Sequence, residues 1–187
     1  FVANVGEEGE GNLTGMRYLC QSSPLAPRLA GILVIDGPGH GHITSRALAS
    51  KRFEVMIQGK GGHSWSDFGM VNPNHALARA VALFADAHPP ERSTGEGRFA
   101  INVGVLQGGS TINAIPQWAA AKVDIRSERE SLIEDLSASL GRIVEQALAV
   151  EHKAARKGRL TARLKEIGSR PGGALAGDSP LLKAALA

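Results

Sequence analysis

The sequence predicts a portion of an α/β domain interrupted by a smaller α+β domain, and three observations carry that reading. Residues 1–45 hold two apolar runs with a helical stretch between them, the order of a parallel-sheet segment. From residue 46 onward, period-2 alternation and helical spacing succeed each other in the order βαββαβ. After Gly168, the segment Pro171-Gly172-Gly173 reads as a linker that returns the chain to its first part.

Taken in order, Phe1-Val2-Ala3-Asn4-Val5 is expected to form a strand that ends in the turn Gly6-Glu7-Glu8-Gly9, followed by a helix around Leu13–Gln21. A Pro/Ser-rich loop leads to a buried strand over Gly31–Ile35, closed by Asp36 and turned by Gly37-Pro38-Gly39. Cys20 falls in the helix and is expected to be a buried or half-buried thiol. Then Phe53, Val55 and Ile57 alternate with Glu54 and Met56, as on a half-buried strand. Leu77, Val81, Phe84 and Ala87 recur at helical spacing. Phe99, Ile101, Val103 and Val105 alternate, and so do Ala119, Ala121, Val123 and Ile125. A long helix follows with the stripe Leu132, Leu136, Leu140, Ile143 and Ala147, and a last strand carries Leu160, Ala162 and Leu164. This is the split arrangement of a ferredoxin-like sandwich, with helices on one face of an antiparallel sheet. The expected boundaries are 1–45 for the partial α/β domain, 46–168 for the inserted domain and 169–187 for the return segment.

Composition narrows the function classes. A length of 187 residues suits one domain or one and a half. The net charge is +3, the basic residues are spread out except over Lys153 to Arg163, and there is a single tyrosine. A nucleic-acid groove wants clustered cations interleaved with aromatics, so no nucleic-acid partner is expected. No apolar stretch is long enough to span a bilayer, and no membrane partner is expected. One cysteine allows neither an intrachain disulfide nor a cysteine-based zinc site, and the cytoplasm is the default compartment. The chain begins inside one expected strand and stops inside an expected helix at Leu181 to Ala187, which reads as a segment of a longer protein.

Several constellations could carry chemistry. Glu7 and Glu8 are adjacent carboxylates at a strand tip, where α/β proteins place their sites, and a cation would relieve their repulsion. Asp36 ends the next expected strand, and neighbouring strand ends in a sheet lie about 5 Å apart, so the three acids could converge on one cation. The plainer readings are solvation for the glutamates and a turn cap for Asp36. Lys60-Gly61-Gly62-His63-Ser64 holds an imidazole clear of the sheet, suited to donate to a developing oxyanion or act as a general acid, against the plainer reading of an idle loop histidine. Gln107 to Pro116 is too long and glycine-rich for a tight hairpin and could wrap a ligand, with the Asn113 amide as a polar contact. Arg126, in Asp124-Ile125-Arg126, could clamp a carboxylate or simply pair with Asp124 or Glu128. His40-Gly41-His42 has metal-ligand spacing but lies at the expected hinge with no acid beside it, and is set aside.

In this order, Gly6-Glu7-Glu8-Gly9, Asp36, Gly61-Gly62-His63-Ser64, Gly108 to Pro116 with Asn113, and Asp124-Ile125-Arg126 resemble the co-catalytic zinc family of aminoacylase, acetylornithine deacetylase, succinyl-diaminopimelate desuccinylase and glutamate carboxypeptidase. The resemblance covers nearly the whole chain. It implies an α/β catalytic domain interrupted by a ferredoxin-like lid that forms a homodimer, and hydrolysis of a peptide or N-acyl amino acid by a metal-activated water. It implies two zinc ions, with cobalt or manganese as substitutes. Glu7 matches the general base, Glu8 a ligand of one zinc and Asp36 the acidic ligand of the other. His63 matches the lid histidine that reaches the partner subunit's site, Asn113 the lid asparagine that binds substrate, and Arg126 the arginine that meets a substrate carboxylate. The family's upstream His-x-Asp segment and downstream histidine ligand have no counterpart here. Zinc in this class takes at least three protein ligands, so this chain alone is expected to hold no tight dinuclear site and to be inactive. The alternative is a non-catalytic dimerisation or ligand-binding module of ferredoxin-like fold; a small-molecule regulatory domain is a further rival that gives the acids no task.

Overall fold

The computed structural model describes every residue except Glu8, Gly9, Glu10, Pro38 and His40. Its elements are α1 (Thr14–Gln21), β1 (Arg46–Ala47), β2 (Ala49–Gln58), β3 (Gly62–His63), α2 (Pro73–Ala87), β4 (Phe99–Gly108), β5 (Ala114–Ile115), β6 (Trp118–Ser127), α3 (Glu130–Ala154), β7 (Thr161–Arg170), β8 (Gly173–Ala174) and α4 (Pro180–Leu186). Among the described residues no helix is long and apolar enough to cross a membrane.

Four ten-residue strands form an antiparallel sheet in the order β4-β6-β2-β7, with α2 and α3 packed on one face. This is the ferredoxin-like order expected from the βαββαβ pattern. Alternation decides which side of each strand turns inward. Phe53, Val55 and Ile57 of β2 and Ala119, Ala121, Val123 and Ile125 of β6 are buried beneath Leu77 and Phe84 of α2 and Ile133, Leu136, Leu140 and Ala147 of α3. Small alanines on β6 let the helices approach, while Phe84 fills the space between sheet and helices.

Local chemistry sets the helix ends. The Asn72 side chain accepts the Asn74 N–H and Pro73 stands in the first turn, a sequence-encoded start for α2. Glu151 near the end of α3 is buried, accepts the Asn72 N–H at 2.9 Å and meets the Arg79 guanidinium at 3.3 Å. One carboxylate thereby ties the start of α2 to the end of α3. Leu160 donates its N–H to His152 Nε2 at 2.9 Å, joining the end of α3 to the approach to β7.

The flanks differ from expectation in three respects. Residues 1–5 and 31–35 form no strand, and the apolar side chains Val2, Val5, Leu33, Val34 and Ile35 are exposed. An apolar run becomes a strand only where a neighbouring strand completes its hydrogen bonds; among the described residues neither run pairs with a strand, and the Val5 carbonyl instead accepts the Gly15 N–H of α1 at 2.9 Å. Cys20, expected to be buried or half-buried, is exposed on α1, because this helix buries no residue. The helix itself stands where the spacing placed it. It is tied to the end of β7: the Asn12 side chain accepts the Ser169 N–H at 3.1 Å, and the Arg17 guanidinium donates to the Ser169 carbonyl. The glycine pair after Pro171 returns the chain as β8, which pairs with β1 in a two-stranded antiparallel ribbon, Arg46 opposite Ala174.

Candidate functional site

Past the end of β2, the backbone must turn from the sheet and start a second ribbon within a few residues. Gly61 does this at φ +71°, and a Cβ there would stand 2.6 Å from Gln117 Cγ. A Cβ on Gly62 would stand 2.7 Å from Asp67 Oδ2. Two consecutive positions thus exclude a side chain, which is the physical reason for the Gly-Gly that precedes His63. β3 then pairs with β5, His63 opposite Ala114, and Gly59 donates to the Gln117 carbonyl at 2.8 Å. The long Gln107–Pro116 connection accordingly folds back as a ribbon against the Gly-Gly-His segment.

This pairing brings two of the expected residues together. Ser64 donates its N–H to the Asn113 carbonyl at 3.0 Å, so His63 and Asn113 sit side by side at the tip beyond the sheet. Both side chains are exposed. Backbone N–H groups of Trp65 and Ser66 point at His63 Nδ1, at 3.2 and 3.5 Å, so Nδ1 is the acceptor and Nε2 carries the proton. The imidazole is therefore presented as an Nε2–H donor. Two open clefts flank the 109–116 ribbon. One, of about 390 Å³, is bordered by Gly62, Ser110, Pro116 and Trp118; the other, of about 530 Å³, by Asn74, His75, Thr111 and Ile112.

Asp67 closes the turn. Its carboxylate accepts the His63 N–H and the Lys157 ammonium, each at 2.9 Å. These contacts, the His63 N–H foremost and then Lys157, with Lys60 adding at longer range, hold the carboxyl below its ordinary value. Neither Asp67 nor Lys157 stood out in the sequence. An acid four residues after a Gly-Gly-His run is a usable sign of a carboxylate bonding back to the turn, whereas nothing in the sequence links it to a lysine 90 positions on.

Two other expected residues, Glu7 and Arg126, lie at the opposite end of the sheet. Across the strands, Arg170 of β7, Ser50 of β2 and Arg126 of β6 stand in one row. Arg126 pairs with Asp124, Nε to Oδ2 at 2.6 Å, the plainer of its two readings. Arg170 holds Glu7, one guanidinium nitrogen 3.3 Å from Oε1 and the other 2.6 Å from the Glu7 carbonyl. This arginine, too, escaped sequence reading. Eight residue steps separate Ser50 from Gln58, which at a rise of about 3.4 Å per residue puts the Glu7 and Arg126 end about 27 Å from the start of the His63 turn.

Asp36 is exposed just after the apolar 31–35 run, which forms no strand. Glu8 and His40 lie outside the described residues. Among the described residues no group of three or more His, Cys, Asp or Glu is placed to hold a metal ion. A zinc centre needs at least three such donors, so the described side chains do not compose one by themselves.

Residues 48–152 match a family described as the peptidase dimerisation domain. Among solved structures, an aminobenzoyl-glutamate utilization protein from Klebsiella pneumoniae is similar at 27% identity and TM-score 0.57, covering 70% of this chain and 31% of that one. An aminopeptidase PepT from Bacillus cereus ATCC 10987 aligns at 20% identity and TM-score 0.60, over 80% of this chain and 37% of that one. A tripeptidase from Staphylococcus aureus aligns at 17% identity and TM-score 0.55, over 75% and 34% respectively. The last two likenesses concern the fold alone. The chain thus spans about a third of the length of these structures. No curated protein matches the sequence.

Proposed function

From the premise that this chain belongs to the peptidase dimerisation-domain family of the peptidases and amidohydrolases, we propose that it is the lid-bearing part of a zinc-dependent hydrolase that cleaves a peptide or N-acyl amino-acid bond. The observation that carries this reading is the separation of its two polar ends. Glu7 and Arg126 share one end of the sheet, while the His63 donor and Asn113 stand beyond the other. A tip that far from Glu7 cannot serve the same chain's acids, so it serves those of a second copy. In the closed site, the Nε2–H of His63 donates to the oxygen on which negative charge develops, and Asn113 holds the substrate beside it. Glu7 accepts the proton of the attacking water and returns it to the leaving amine, for which it must first leave Arg170. Arg126 meets a substrate carboxylate when it exchanges Asp124 for the ligand.

Zinc, if bound in the full-length protein, would supply the activated water, and Glu8 and Asp36 would be this chain's contribution to holding it. Two carboxylates are too few, and we accordingly expect the 187-residue chain alone to hydrolyse nothing.

The two edges of the sheet favour one mode of pairing. β4 is an edge strand without a single charge, Phe99-Ala100-Ile101-Asn102-Val103-Gly104-Val105-Leu106-Gln107-Gly108, whereas the β7 edge exposes Arg163, Lys165 and Glu166. Charged edges resist strand addition, so a homodimer pairs β4 with β4 about a two-fold axis.

The test uses the full-length protein with a panel of N-acyl amino acids and dipeptides. Glu7→Ala and His63→Ala should each lower kcat by about a hundredfold or more. A mixture of the two inactive variants, after subunit exchange, should regain about a quarter of native activity, because each mixed dimer holds one intact site. Full activity of His63→Ala on every substrate cleaved, or no recovery on mixing, would overturn the shared site. Hydrolysis by the isolated chain that is sensitive to chelators would overturn its proposed inactivity.

A further inference from the structure

The turn that carries His63 rests on one carboxylate shared between two segments far apart in sequence. Asp67 Oδ2 accepts the His63 N–H at 2.9 Å, and the Asp67 N–H in turn donates to the His63 carbonyl at 2.9 Å, so residues 63 and 67 grip each other from both sides. Asp67 Oδ1 takes the Lys157 ammonium at 2.9 Å. The connection between α3 and β7 is stitched to the same turn by its backbone. Arg156 donates to the Gly69 carbonyl at 2.7 Å, and Val71 donates to the Lys157 carbonyl at 3.0 Å. The Arg156 guanidinium lies 6.0 Å from the centre of the Phe68 ring. Gly62 leaves the room that the carboxylate occupies.

We propose that Asp67, held by Lys157, is a positioning residue that clamps the His63 turn, fixing the imidazole with its proton on Nε2 and aimed away from the lid. Its consequence for catalysis rests on the reading of His63 given above; the clamp itself does not. With His63 N–H and carbonyl both tied to residue 67, the amides of Trp65 and Ser66 are brought to face Nδ1, which leaves Nε2 as the outward donor. Without the carboxylate, the His63 N–H loses its acceptor and Lys157 its anchor. An exposed ion pair adds little to global stability, so orientation and stability are separable here.

Two arms test this. In the 187-residue chain, imidazole ¹⁵N signals should show the His63 proton on Nε2. Asp67→Ala should speed hydrogen exchange at the His63, Trp65 and Ser66 amides by about tenfold or more, and leave Val55 and Ile57 of β2 unchanged. Lys157→Met should fall between native and Asp67→Ala, with Lys157→Arg close to native. A proton on Nδ1, or native exchange in Asp67→Ala, would overturn the clamp. In the full-length enzyme, with the N-acyl amino-acid panel, Asp67→Ala should lower kcat about tenfold with KM within about twofold, and change nothing further in a His63→Ala background. An equal loss in that background would make Asp67 a structural residue and overturn its positioning role. Full activity of His63→Ala would instead defeat the reading of His63 as a donor, while the exchange arm still decides the clamp.

Discussion

Gly31-Ile32-Leu33-Val34-Ile35 and Phe53-Glu54-Val55-Met56-Ile57 lie in one chain and are both rich in β-branched residues, yet they meet opposite fates. The second is sandwiched between β6 and β7 and buries Ile57 completely. The first joins no strand, with Val34 72% and Ile35 97% exposed. Side-chain preference is the same in both; what differs is a neighbouring backbone on each flank and a helix layer above. Strand propensity is a statement about fitting a half-buried surface, and it lapses where no surface is offered.

The sharpest way to widen that contrast is to empty the core. Phe84→Ala should destabilise the lid by about 3–5 kcal/mol in urea unfolding, because the fully buried ring leaves a cavity between sheet and helices. Ile35→Ala should shift the same transition by no more than about 0.5 kcal/mol. Equal effects would mean that the flank is packed in solution and the contrast false.

A smaller loss is expected at Glu151. Glu151→Ala leaves the Asn72 N–H and the Arg79 guanidinium without their acceptor and should cost about 3 kcal/mol by the same measurement. Glu151→Gln should lose less, since the amide oxygen still accepts from Asn72.

The mildest probe is pH. His88 is held below its ordinary value, chiefly by burial and then by Arg92 and Arg142. Its ring packs edge-on to Phe84 and Phe99 and meets Ser139 Oγ at 2.8 Å. The unfolded chain therefore takes up a proton at higher pH than the folded lid. The stability tied to the uncharged ring is fully present above the ordinary histidine value of 6.5 and declines as pH falls from there through the lowered folded value. Thermal unfolding of native protein should drop between pH 7 and about 5, and the slope should flatten in His88→Gln. An identical slope in both would remove His88 from the account.

Much of the lid was legible because its signals are local. The alternation at Phe53, Val55 and Ile57, the helical stripe through Leu136, Leu140 and Ile143, and the order βαββαβ sufficed for the ferredoxin-like sheet. Gly61-Gly62 announced a sharp turn at His63, and the length and glycines of Gln107–Pro116 ruled out a tight hairpin without foretelling the β3–β5 ribbon. What remained hidden depends on distant partners. Asp67 finds Lys157 through the end of α3, and Glu7 finds Arg170 across the return from β7, separated by 163 positions. The strands expected at 1–5 and 31–35 rested on apolar content, which says nothing about whether a neighbour is present. Cys20 was read from the average behaviour of thiols, and α1 buries none of its residues.

The unequal margins of the sheet bear on how far assembly can go. Joining two copies along the neutral β4 margin consumes that margin in both. What would then face outward on either side is β7, whose exposed Arg163, Lys165 and Glu166 make a charged margin that resists a further strand. In the proposed pairing, growth by strand addition would halt after a single step, and a margin that joins two copies would be kept from seeding a fibre.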